Sequence, residues 1–188
     1  MLLVQGINNG SPSRQYLAKL LHQARLATLK IALLTPDEAA FDQRTRQLRF
    51  DAAGLLADRV IGATDWLRHT PATQGLAIGY FGDGTAGAAI LVAAAKRSSI
   101  VKAVVSRGGW LDLIWSTLTQ VHAPTLLIVG GLDLPMITVN EEAMVLMDQA
   151  SEKYLDVIPG ASHRFVESDT LEQAEVRASE WFQRFLHP

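Results

Sequence analysis

The sequence predicts an α/β domain in which a mostly parallel sheet of about six strands carries helices on both faces. Three observations point there. Short apolar runs alternate with longer helical patterns along all 188 residues. Most of those runs are apolar at successive positions, as strands buried on both faces require. No internal repeat, low-complexity tract or linker-like stretch interrupts the alternation, so residues 1–188 read as one domain.

Strands are expected at residues 2–5, 29–34, 76–81, 101–106, 125–130 and 154–158. Between the first two, residues 12–28 place Leu17, Leu20, Leu21 and Ala24 at helical spacing. Residues 43–69 predict one long helix whose apolar stripe runs through Leu48, Ala52, Leu55, Leu56, Val60, Ala63 and Leu67. Residues 85–96 are nearly all small or aliphatic, which suits a helix lying close against the sheet. Helices at 135–150 and 170–185 complete the set.

Composition excludes several classes of function. The chain is 48% hydrophobic and 19% charged with a net charge of −2, and it has no Lys/Arg-rich run. That argues against a nucleic-acid surface. Cysteine is absent, which removes disulfides, thiolate catalysis and Cys-based zinc sites, and fits a cytoplasmic protein. Residues 1–6 have no basic region and their apolar run is too short for a signal peptide, and no apolar stretch is long enough to span a membrane. His22, His69, His122 and His187 show no ligand-like spacing, so neither a metal site nor a resident cofactor is expected.

The stretch from Gly79 to Gly87, Gly-Tyr-Phe-Gly-Asp-Gly-Thr-Ala-Gly, joins a strand to a helix and supports two readings. Gly82, Gly84 and Gly87 spell the dinucleotide fingerprint G-x-G-x-x-G. Gly82 to Ala86 also fits the strand-to-helix elbow G-x-S-x-G, with Gly84 where a nucleophile would stand. An elbow needs small residues two positions either side of its tip, and Gly82 and Ala86 supply them. A fingerprint needs a carboxylate at the end of the next strand. Here that strand ends in Val105-Ser106-Arg107-Gly108, so only an NADP form survives, with Arg107 on the 2′-phosphate. At least two strands also precede the turn, whereas the fingerprint normally follows the first. The elbow fits better. Glycines that only let the helix pack tightly on its strand are a third reading.

An elbow of this type is followed by an acid and then a histidine, each on a loop after a later strand. Asp133 follows the strand at 125–130, and His163 follows the strand at 154–158. Taken singly, Asp133 also suits a helix cap and His163 a plain loop residue. Their order downstream of the elbow favours a paired role.

These segments resemble the dienelactone hydrolase-like branch of the α/β-hydrolases, in particular bacterial hydrolases in some cases fused to phosphoribosyltransferase domains. The matching residues are Arg49-Phe50-Asp51, Leu55-Leu56-Ala57, Asp65-Trp66-Leu67 and Gly79-Tyr80-Phe81-Gly82. They continue in Val105-Ser106-Arg107-Gly108-Gly109, in Pro124 to Asp133 and in Pro159-Gly160-Ala161-Ser162-His163. The resemblance implies an α/β-hydrolase core, Asp133 as the acid, His163 as the general base and Gly84 at the vacant nucleophile position. It also implies an oxyanion hole from the N–H groups of Thr85 and Ile7. Two further departures accompany Gly84. Gln5-Gly6 stands where the family usually has His-Gly, and by the resemblance the N-terminal strands of the usual fold are expected to be missing. The strand at 29–34 is then expected at a sheet edge, which leans toward a homodimer.

The leading expectation is therefore an ester or lactone hydrolase scaffold with activity absent or very low, binding a small-molecule ester, lactone or related ligand. Ser106 is a minor candidate for a substitute nucleophile. The alternatives are an NADP-binding protein using Gly82, Gly84, Gly87 and Arg107, and a partner-binding pseudoenzyme using the open edge or the surface near Trp110 and Trp115.

Overall fold

The strands are β1 (Leu2–Gln5), β2 (Leu29–Ala32), β3 (Ile78–Asp83), β4 (Val101–Arg107), β5 (Thr125–Gly130) and β6 (Lys153–Ile158). In the computed structural model, which describes residues 2–5 and 13–187, they form one sheet in the order β2-β1-β3-β4-β5-β6. Every pairing is parallel. The six expected strands are all present, and β2 lies at an edge as anticipated. The strand order reverses between β1 and β3, which opens a crevice at their C-terminal ends.

Alternation along the strands divides the core into two layers. Tyr80, Val104 and Leu127 point to one face, where they pack with α3 (Ala57–His69), α4 (Thr85–Lys96) and α6 (Leu134–Leu146). Phe81, Val105, Leu126 and Ile128 point to the other face, against α1 (Ser13–Gln23) and α7 (Thr170–Leu186). The Ala-rich α4 is buried from Ala86 to Ala94, so small side chains let it approach the sheet closely. On the same face the Tyr80 hydroxyl is fully buried, and it pairs with Thr64 Oγ1 at 2.6 Å. Burial pushes that phenol up to about 12.

Three helix expectations need correction, one of them only at its end, since the helix expected at 135–150 runs Leu134–Leu146. The first helix stops at Gln23, short of residue 28. Arg25 turns left-handed (φ 60°) and the Leu26 N–H reaches back to the Leu21 carbonyl, a Schellman-type stop. The helix expected at 43–69 is broken into pieces. The chain forms α2 (Pro36–Thr45), a 3-10 turn at Leu48–Phe50, a π turn at Ala52–Leu56 and only then α3. Side chains compete with the backbone here. The buried Asp42 carboxylate takes the N–H groups of Leu48 and Arg49, each at 2.9 Å. Asp51 takes those of Gly54 and Leu55, each at 3.0 Å. The apolar stripe itself is real, since Ala52, Leu56, Val60 and Leu67 are all buried. α2 starts at a capping box, Thr35-Pro36-Asp37-Glu38, with proline in the first turn. Two helices were not anticipated, α2 over most of its length and the short α5 (Trp115–Leu118).

Candidate active site

The glycine-rich turn is an elbow. Gly84 leaves β3 at φ 53°, ψ −123° and caps α4 at once, a backbone state that L side chains rarely adopt. Its N–H donates to the Arg107 carbonyl at 3.0 Å, and its own carbonyl accepts from Trp110 N–H at 3.3 Å. The turn is tight enough that a Cβ on Gly82 would stand 2.7 Å from the Ala86 carbonyl oxygen. A Cβ on Gly84 would meet nothing within 4 Å. The tip therefore has room for a side chain and supplies none. Thr85 is the first residue of α4, so its N–H has no acceptor within the helix. The expected second oxyanion donor, Ile7, lies outside the described residues.

The loops after β5 and β6 lock together. Leu132 N–H bonds the Ala161 carbonyl and Gly131 N–H bonds the Ile158 carbonyl. A Cβ on Gly130 would stand 2.5 Å from both the Ala161 and Ser162 carbonyl oxygens, so only glycine permits the approach. The outcome is a hydrogen bond of 2.7 Å between His163 Nδ1 and Asp133 Oδ2. Asp133 does occupy the N-cap of α6, yet its side chain makes no capping bond and turns to the imidazole. The carboxylate is 14% exposed and the imidazole 43%, so the dyad opens to solvent from the histidine side. With Nδ1 engaged, Nε2 is the ring nitrogen left for a reacting group.

Three residues that position this dyad escaped the sequence reading. Gly108 (φ 54°) lies under the imidazole, and a Cβ there would sit 3.5 Å from His163 Cε1. Glu167 accepts the Ser162 N–H at 2.9 Å, and that backbone bond holds its carboxyl below the ordinary range. Asn140 donates from Nδ2 to the Gly109 carbonyl at 3.2 Å, tying α6 to the loop after β4. The Gly108-Gly109 pair was the available signal, but only the fold shows what passes over it.

The other candidates are placed elsewhere. Arg107 points to the α1/α7 face, with Nε 2.9 Å from Asp83 and its guanidinium 5.5 Å from the Phe81 and Phe165 ring centres. It is 9% exposed and also faces the buried Glu175 at 3.7 Å, so it does not present itself to a phosphate. The NADP alternative is not favoured. Ser106 is fully buried between Gly87 and Gly109, which removes it as a substitute nucleophile. Trp110 is partly buried beside the elbow and stacks on Phe50 with ring centres 5.6 Å apart. Trp115 packs against the α4 side of the core. Among the described residues no helix is long and apolar enough to cross a membrane.

An all-parallel sheet whose third strand ends in this elbow, with an Asp–His pair on the loops after its last two strands, defines an α/β-hydrolase. No family model matches the chain. A solved dienelactone hydrolase from Anabaena variabilis is 53% identical, with a TM-score of 0.91 over 99% of this chain and 86% of that one. This chain belongs to the dienelactone hydrolase family. A Mycobacterium tuberculosis protein named as a phosphoribosyl transferase is 45% identical over 177 residues, 94% of this chain. The chain spans 38% of that relative's length. Est1E from Butyrivibrio proteoclasticus shares the fold, with a TM-score of 0.74 at 14% identity over 97% of this chain and 86% of that one.

Proposed function

We propose that this chain is a dienelactone hydrolase-like protein that receives an ester or lactone carbonyl at the elbow and has little or no turnover. The observation that carries the reading is the Asp133–His163 hydrogen bond beside an elbow tip that is glycine. Asp133 holds the imidazole in one tautomer and offsets the charge it gains as a base. His163 Nε2 is then the acceptor for a proton from whatever attacks the carbonyl. In this reading the Thr85 N–H, at the positive end of α4, stabilises the developing oxyanion.

Gly84 removes the usual attacking atom. Without an oxygen or sulfur at the tip no acyl-enzyme forms, and His163 has no side-chain proton to take. The route left is a water in the open volume at Gly84, activated by His163. Ligand binding without turnover is the expected dominant behaviour, in the manner of a pseudoenzyme. The same reading takes the protein to be cytoplasmic.

The test is hydrolysis of a short-chain aryl ester by the native protein and by Gly84→Ser, each with and without His163→Ala. The expected result is a native rate near background and a Gly84→Ser rate that disappears with His163→Ala. Histidine-dependent turnover by the native protein would show that a water has replaced the nucleophile. An inert Gly84→Ser that is correctly folded would remove the hydrolase reading.

A further inference from the structure

Arg107, the last residue of β4, reaches both halves of the candidate site. Its carbonyl accepts the Gly84 N–H at 3.0 Å, and the next residue, Gly108, lies under the His163 imidazole. The Arg107 side chain runs to the α1/α7 face of the sheet. There Nε donates at 2.9 Å to Asp83, its partner in the β3–β4 register and the residue just before the elbow tip. The same guanidinium lies over the rings of Phe81 and Phe165, 5.5 Å from each ring centre.

Phe165 belongs to the histidine loop. His163 and Arg164 are the central residues of a turn, closed by the Phe165 N–H on the Ser162 carbonyl at 3.1 Å. Phe165 takes φ 51°, a left-handed state that a bulky side chain adopts only where its surroundings impose it. Its ring is buried in the α1/α7 layer beside Phe81 and against the Arg107 guanidinium. The turn that presents His163 is thus held at its end by this ring and at its start by Glu167 on the Ser162 N–H.

A guanidinium suits the position. It can hydrogen-bond a carboxylate at its edge while its flat faces pack on aromatic rings, and an ammonium has no such faces. Arg107 is also buried, so its contacts are screened far less than those of a surface cation.

We propose that Arg107 is a positioning residue whose side chain couples the elbow, through Asp83, to the histidine turn, through Phe165. The coupling sets where His163 stands relative to Gly84 and Asp133. The proposal rests on the reading of the elbow and dyad as a hydrolase site, and adds to it a residue that touches no substrate.

The experiment reads the His163 tautomer by nitrogen-15 imidazole NMR at a pH where the ring is neutral. Loss of signals in His163→Ala identifies them. Arg107→Met cuts the link at Asp83, Phe165→Leu cuts it at the ring, and Arg107→Lys keeps the charge beside Asp83. Asp42→Ala is the control for destabilisation away from the site, and circular dichroism checks folding. The native protein is expected to hold the proton on Nδ1, facing Asp133. Arg107→Met and Phe165→Leu should gain the Nε2-protonated form, Arg107→Lys should fall between, and Asp42→Ala should match the native protein. In the Gly84→Ser background kcat should follow the same order, with Arg107→Met lower by about ten- to a hundredfold and KM little changed. A native tautomer ratio in folded Arg107→Met, or an equal change in Asp42→Ala, would overturn the proposal. Should Arg107→Met not fold, Phe165→Leu decides on the same readouts, since it leaves the ion pair in place. An inert Gly84→Ser together with a tautomer that follows Arg107 removes the hydrolase reading and leaves the coupling. An active Gly84→Ser whose kcat and tautomer ignore Arg107 does the reverse.

Discussion

Gly84→Ala isolates the backbone strain stored at the elbow. At φ 53°, ψ −123° an L residue pays for its Cβ through backbone conformation alone, because a Cβ there meets nothing within 4 Å. Residues held in such sparsely populated regions cost about 1–3 kcal/mol. Against that, alanine restricts the unfolded chain and returns about 0.4–1 kcal/mol. The net expectation is a destabilisation of about 1–2 kcal/mol. With a urea dependence of roughly 2 kcal/mol/M, the unfolding midpoint moves down by about 0.5–1 M. Gly82→Ala is the companion measurement. Its Cβ would fall within 2.7 to 3.0 Å of three backbone atoms of Ala86 and Gly87, so clash is added and the loss is larger. Equilibrium urea unfolding of the three proteins, followed by circular dichroism, reads both effects. A Gly84→Ala protein as stable as the native one would show that the tip relaxes to ordinary angles and that no elbow is enforced.

Three further outcomes are expected. Burial pushes the Glu175 carboxyl up to about 7 against the opposing pull of Arg107, so the folded state keeps a proton that the unfolded chain releases above about 4.5. Its stabilising effect is complete at acid pH and is lost as pH rises through 7. Urea unfolding at pH 5, 6, 7 and 8 should show the native protein losing on the order of 3 kcal/mol relative to Glu175→Gln, and parallel pH curves would contradict this. Gly62 lies exposed inside α3 with open space at its Cβ, so Gly62→Ala should raise stability by about 1 kcal/mol through helix propensity, visible as a higher thermal midpoint. Asp42→Ala strips the acceptors from Leu48, Arg49 and the Arg49 guanidinium, and should cost about 2–3 kcal/mol in the same urea assay.

Alternation of buried strands with amphipathic helices was enough to place all six strands and to expect a parallel sheet. That signal is local, because burial on both faces writes itself into successive residues. The long helix at 43–69 was misread for the complementary reason. Periodicity reports which residues are buried, and the stripe through Ala52, Leu56, Val60 and Leu67 is buried as read. It does not report where Asp42 and Asp51 take backbone N–H groups away from the helix. The break there is what carries Phe50 out to Trp110.

The sequence by itself determined the scaffold, the identity of the residue at the elbow tip, and the order in which an acid and a histidine follow it. A missing side chain is visible in a string of letters, and so is chain order along successive strands. Only the tertiary structure decided which groups meet. Asp133 and His163 are 30 positions apart, and their 2.7 Å contact exists because the β5 and β6 loops approach closer than any residue but Gly130 allows. Arg107 looked available to a phosphate until alternation along β4 turned it to the α1/α7 face, between Asp83 and Glu175. Contacts of this kind depend on which side of the sheet each residue faces and on how closely backbones pass, and the packed fold sets both.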